Sequence, residues 1–159
     1  MRTYERSVRI AAPLEAVWDF HSRLEGLEAL TPGWLGLRVD AVTGPDGEPD
    51  PAVLAAGTEI TLSTAILGRG PRQRWTSRIL AREREADAAY FRDEMLEGPF
   101  PTWVHTHLFY RDGDGTILRD HLRYELPGGR LGRRLTPLGV LGLEPFFRYR
   151  HRRTKDLLE

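Results

Sequence analysis

The chain has 159 residues, of which 40% are hydrophobic and 29% charged, with 23 basic against 23 acidic residues and no cysteine. That balance fits one globular domain over 1–159 and excludes a disordered chain. The missing cysteine excludes disulfides, cysteine-ligated zinc and thiol nucleophiles. No apolar run approaches the roughly 18 residues of a transmembrane helix. MRTYERSVRI at the start lacks the apolar stretch of a secretory signal, so cytoplasm is the expected compartment.

Tyr4 to Ile10 alternates and predicts a first strand. Pro13 then suits the first turn of a helix, where its missing N–H is no loss. Leu14, Val17, Trp18, His21 and Leu24 follow at helical spacing, and a short second helix is predicted over Leu27 to Leu30. Thr31-Pro32-Gly33 ends it. Trp34 to Val42 reads as a strand with Leu35, Leu37, Val39 and Ala41 on one face. Gly44 to Val53 is a loop rich in Pro, Gly and Asp. Gly57 to Leu67 puts Ile60, Leu62, Thr64 and Ile66 on one face, and Gly68 to Pro71 turns the chain. Strands are predicted over Gln73 to Glu83, Ala88 to Glu97, Thr102 to Arg111 and Thr116 to Leu126. Asp112-Gly113-Asp114-Gly115 is a hairpin signal between the last two. A short turn near Leu131 to Leu135 precedes a terminal helix expected from Glu144 to Leu158, with Pro137 and Pro145 each expected to start or break a helix. Hairpin-length links imply an antiparallel sheet, and helices on one face make the class α+β.

Strand phase sorts the side chains. Trp75, Ser77 and Ile79 share a face, as do Phe91, Asp93 and Met95. Trp103, His105, His107 and Phe109 form a third set; Leu118, Asp120, Leu122, Tyr124 and Leu126 form a fourth. Each set carries the larger apolar share, so all four are assigned inward, which carries Asp93, His105, His107 and Asp120 inside. A face mixing Trp and Phe with His and Asp reads as a cavity wall. The candidate ligand contacts are Trp75, Ser77, Phe91, Met95, Trp103, Phe109 and Tyr124. Trp18 reads as core, and Trp34 as a cover for one cavity end.

Three readings of the buried polar groups stay open. In the first, each imidazole donates to a carboxylate on a neighbouring strand and the groups satisfy one another. In the second, His105 or His107 is a general acid or base beside a carbonyl, with Tyr124 or an imidazolium holding an enolate oxygen. In the third, the two His and two Asp bind zinc or iron, a reading supported by ligand type alone. No metal or cofactor is expected: GRGPRQRW lacks the Lys-Ser/Thr of a nucleotide loop, and no serine sits in a nucleophile elbow. From Arg130 to Glu159, eight basic residues stand against three acidic ones, a balance of +5. This stretch reads as a solvated helix face, with an acidic partner bound through Arg148, Arg150, Arg152 and Arg153 as the alternative.

Several stretches resemble the START/Bet v 1-like superfamily, also called SRPBCC or helix-grip, and within it the bacterial polyketide cyclase/dehydrase-like branch. They are AAPLEAVWDF at 11–20, LTPGW at 30–34, RWTSRI at 74–79, FRDEMLEGPFPTWVHTHLF at 91–109, DGTILRDHLRYELP at 114–127 and FRYRHR at 147–152. The resemblance implies a curved antiparallel sheet of about seven strands wrapped on a C-terminal helix, with two short helices after the first strand and an internal hydrophobic cavity. It further implies a lipid-, polyketide- or isoprenoid-like ligand, with catalysis in some members. A small-molecule partner is expected, no nucleic acid, and a monomer or homodimer.

Overall fold

The computed structural model describes residues 1–65, 67 and 69–159. Strand β1 (Arg2–Ile10) leads into helices α1 (Leu14–His21) and α2 (Leu24–Ala29) and a 3-10 turn at Gly33–Leu35. Six strands follow: β2 (Arg38–Thr43), β3 (Glu59–Thr64), β4 (Gln73–Arg84), β5 (Ala88–Glu97), β6 (Thr102–Asp112) and β7 (Gly115–Glu125). Helix α3 (Gly129–Leu135), a 3-10 turn at Thr136–Gly139 and the long helix α4 (Val140–Leu158) close the chain. The strands form one antiparallel sheet in the order β1-β7-β6-β5-β4-β3-β2. The chain thus leaves one edge at β1, crosses through α1 and α2, and re-enters at the opposite edge. This is the α+β helix-grip arrangement expected from the sequence.

Local chemistry explains the joints. Asp112 pairs with Gly115 across the β6–β7 hairpin, and Gly113 takes a left-handed φ of 62° that favours glycine there. Arg9 clamps the turn through Asp112 at 2.6 Å and Asp114 at 3.0 Å. The α1–α2 corner needs Gly26, because a Cβ there would sit 2.0 Å from the Phe20 carbonyl oxygen. On α1, the spacing of Leu14, Val17 and Trp18 makes one apolar stripe, which packs on Phe91, Phe109 and Leu118. Trp18 meets Phe109 edge-on with centroids 5.5 Å apart. A second cluster joins Tyr4, Leu122 and Tyr124 of the β1–β7 edge to Phe147 of α4. A third cluster, of Val42, Leu54, Ile60, Leu62 and Ile79, covers the β2–β4 end of the sheet.

Four sequence expectations change. Trp34 and Leu35 are in the 3-10 turn, and β2 begins only at Arg38. Its register shifts between Val39 and Ala41, so Ala41 is exposed and Val42 is buried instead. One extra residue reverses a period-two pattern, and alternation alone does not reveal it. Helix α2 starts at Leu24, three residues before the expected Leu27. Pro145 lies inside α4 rather than breaking it. The acceptor that loses its partner to Pro145 is the Leu141 carbonyl, one turn back, and Leu141 is 73% exposed, so water can replace that bond. Pro137 does start a turn, near the first residue of the second 3-10 segment. The expected inward Ile66 and the turn at Gly68 fall outside the described residues.

Candidate functional site

A cavity of about 320 Å³ lies between the sheet, α2 and α4. The sheet contributes Ile60, Leu62, Trp75, Ile79, Phe91 and Trp103 as an apolar floor. Helix α2 adds Leu27 and helix α4 adds Phe146 and Phe147. Polar groups are fewer: Thr64, Gln73, Ser77, Asp93, His105 and His107 from the strands, His21 from α1, Thr31 after α2 and Arg150 from α4. An apolar chamber with a small set of placed polar groups is the usual form of a small-molecule site.

Behind the wall sits Asp120, 2% exposed, on which imidazoles from two elements converge. His105 Nε2 donates to its Oδ1 at 2.8 Å, and His151 Nε2 donates to its Oδ2 at 2.5 Å. His107 Nδ1 lies 2.8 Å from Oδ1 but is not aimed along a hydrogen bond. That contact is close approach without an aligned bond. Burial by itself would raise the Asp120 carboxyl, but the adjoining His107 and the N–H donors of His105 and His151 outweigh it, so the group is held well below its ordinary value. Desolvation, followed by the neighbouring His105, pushes His107 well below the ordinary imidazole value. His107 is therefore neutral at pH 7 and a weak base.

Asp93 behaves differently from its expected role. Its Oδ2 accepts from Ser77 Oγ at 3.1 Å, while its Oδ1 is 4.0 Å from His105 Nδ1, too far for a hydrogen bond. Burial raises its carboxyl above the ordinary value, more than His105 and Ser77 lower it. Of the expected donations across neighbouring strands, His105 makes one to Asp120, and His151 of α4 shares that carboxylate. His105 is left with Nε2 committed to Asp120 and Nδ1 on the Asp93 side. Asp93, His105 and His107 also bring three ligand atoms within 4.8 Å of one another, a set suited in type to a metal ion. The Arg150 cation, whose field reaches both Asp93 and Asp120, works against a divalent cation there.

Of the seven expected ligand contacts, Trp75, Ser77, Phe91, Met95 and Trp103 line the cavity. Phe109 does not, because α1 covers it: the ring is fully buried against Trp18 and His21. Tyr124 does not either. It lies under the turn before α4, and its hydroxyl donates to the Thr136 carbonyl at 3.0 Å, so it cannot hold an enolate in the cavity. Asp120 supports the wall without lining it. Trp34 is 54% exposed and covers no cavity end.

Three functional candidates escaped the sequence reading. His21 donates from Nδ1 to the Val17 carbonyl at 2.8 Å, and Nε2 has no hydrogen-bond partner among the described residues. Burial lowers its pKa to about 4, so it presents a neutral acceptor nitrogen. Arg150 and His151 are buried, which removes Arg150 from the exposed basic face predicted for the tail. The signal was present: Phe147, Arg150, His151 and Thr154 fall at i, i+3, i+4 and i+7, one helix face, and all four are buried. The rest of that tail is a solvated face with i, i+4 pairs Glu144–Arg148 and Lys155–Glu159.

Residues 10–137 match the family model described as polyketide cyclase / dehydrase and lipid transport. The chain belongs to this family. The START/Bet v 1-like superfamily to which the motifs pointed is therefore borne out. No curated protein sequence matches the chain. Among solved structures, a Thermus thermophilus protein is 21% identical, with 99% of this chain and 100% of that one covered at a TM-score of 0.63. Norcoclaurine synthase from Thalictrum flavum, solved with dopamine and hydroxybenzaldehyde, is 16% identical over 99% of this chain and 86% of its own, at a TM-score of 0.66. A START superfamily protein from Mycobacterium smegmatis is 17% identical over 98% of both chains, at a TM-score of 0.61. These likenesses establish the fold the family shares. Among the described residues no helix is long and apolar enough to cross a membrane.

Proposed function

We propose that this cyclase/dehydrase and lipid transport family member binds a hydrophobic small molecule, lipid-, polyketide- or isoprenoid-like, between its sheet and α4. The observation that carries this reading is the cavity of about 320 Å³, floored by Trp75, Trp103, Leu62 and Phe91. Large flat rings and aliphatic side chains reward apolar contact area, while the few polar groups fix orientation. Native mass spectrometry of freshly purified protein tests the reading, with Met95→Trp as control. Met95 lines the cavity, so an indole there should obstruct part of it and compete with a bound molecule. A non-covalent adduct carried by the wild type and lost in Met95→Trp is the expected result. An adduct retained by the obstructed variant would mean binding elsewhere.

A second reading is catalytic, an acid–base reaction of the cyclase or dehydratase type. It is favoured by the orientation of His105, whose bond from Nε2 to Asp120 fixes the tautomer and leaves Nδ1 as the basic nitrogen beside the cavity. Asp120 then stabilises the imidazolium as His105 accepts a proton. His107, neutral and weakly basic, acts in this reading as a wall. His105→Gln should abolish turnover of a bound substrate while leaving its affinity within about threefold. Equal turnover by wild type and variant would remove the catalytic reading.

A further inference from the structure

Arg150 is the most unusual charge in the molecule. It lies on the buried face of α4, is 9% exposed and lines the cavity. A guanidinium carries five N–H donors and stays protonated at any ordinary pH. Among the described residues none of these donors makes a hydrogen bond to the protein, and no carboxylate oxygen comes within 4.0 Å of them. Its Cζ lies 5.7 Å from the centroid of the Phe146 ring. Arg72, part-buried, shows the contrast. It donates to Ser63 Oγ, the Ser63 carbonyl and the Gly36 carbonyl at 2.7–2.9 Å.

The two nearest carboxylates, Asp120 and Asp93, favour the Arg150 cation through their field but do not hydrogen-bond it. Asp120 is committed to His105 and His151, and Asp93 accepts from Ser77. His21, on the facing wall, is neutral and contributes no charge at pH 7. A buried cation is costly unless it is paired and hydrogen-bonded. The cavity around it is otherwise largely apolar, so the missing partner is an oxygen anion attached to an apolar body. A carboxylate fits best, since its two oxygens match the planar fork of a guanidinium.

We propose that Arg150 is the head-group anchor of the cavity and that the ligand is an amphipathic carboxylate, its acid group on Arg150 and its apolar body against Trp75 and Trp103. This inference rests on the cavity being a ligand site. The geometry also orients the ligand: the carboxylate lies at the α4 wall and the tail runs over the β4–β6 floor.

The test is a comparison of acids with their uncharged esters. The full chain is titrated at about pH 7.5, where carboxylates are ionised, with dodecanoate and methyl dodecanoate, then with naphthoate and its methyl ester. Trp75 and Trp103 fluorescence reports binding. The wild type should prefer each acid by about tenfold or more, the usual worth of a charge-assisted pair. Arg150→Met should weaken acid binding by a similar factor and leave ester binding unchanged. Equal affinity of acid and ester for the wild type overturns the carboxylate inference and leaves the cavity reading standing. Failure of all four probes to bind overturns the cavity reading itself. If Arg150→Met loses acid and ester binding together and melts early, Arg150 holds the fold rather than a ligand. The wild-type comparison decides the matter even if the variant does not fold.

Discussion

Asp120→Asn tests the hub of the buried network. The carboxylate presents two acceptor oxygens: Oδ1 receives His105 Nε2–H at 2.8 Å and lies 2.8 Å from His107 Nδ1, while Oδ2 receives His151 Nε2–H at 2.5 Å. An asparagine keeps the shape but supplies one acceptor and one NH2. Whichever way it turns, one imidazole N–H faces a donor. That imidazole could move its proton to the other nitrogen, but for His151 this places an N–H on Nδ1, which is sealed and has no partner. Turned with its NH2 toward His105, the amide forces that proton onto Nδ1, 4.0 Å from Asp93 and beyond hydrogen-bond reach, at about 1–3 kcal/mol, and the remaining bond loses its charge assistance. The total is about 3–5 kcal/mol, the range found when one member of a buried charged set is removed. Against a domain stability of about 5–15 kcal/mol this is a large fraction. Urea unfolding followed by circular dichroism measures it. A loss under about 1 kcal/mol would refute the reasoning, since it would mean that Asp120 carries no charge or that water reaches the network.

Acid stability follows from His21. Its folded pKa of about 4 lies below the unfolded value of 6.5, so the unfolded chain binds the proton first. Stability from this group is fully present above pH 6.5 and is lost as pH falls through 4, by about 3 kcal/mol in all; His107 acts in the same direction. NMR titration of the imidazole should show His21 still neutral at pH 5, and His21→Leu should flatten the stability profile between pH 6.5 and 4. A His21 that titrates near 6.5 would contradict this. Phe109→Ala should cost about 3–5 kcal/mol in unfolding, because the fully buried ring fills the space between Trp18 and Phe91. Ligand affinity at a temperature where the variant is folded should stay within about threefold, since Phe109 lies off the cavity wall. A selective loss of affinity would put that ring back in the site.

Much of this was legible in the sequence because strands alternate strictly. The faces carrying Trp75, Phe91, Trp103 and Leu118 could be assigned inward from period alone, and Asp112–Gly115 marked the hairpin. What alternation cannot supply is the layer lying above a given residue. Phe109 and Trp103 share one face of β6, yet α1 covers the first while the second borders the cavity. Tyr124 shares its face with Leu122, and the turn before α4 takes its hydroxyl. These are long-range facts of helix placement, separate from local pattern. The register shift after Val39 in β2 was hidden for a related reason, since a single extra residue has no compositional mark. The tail shows the opposite case. Reading it as a run of charge concealed a helical face that was present at the right spacing, and with it Arg150 and His151.

The central claim is that the space between sheet and α4 is a binding chamber for an apolar molecule. A crystal structure of the protein grown with the tightest of the four titrated probes tests it most directly. The account predicts ligand density in contact with Trp75, Trp103 and Phe147, with the polar end at Arg150. A structure in which the protein's own side chains fill that space, or in which the probe lies only on the outer surface, would contradict it.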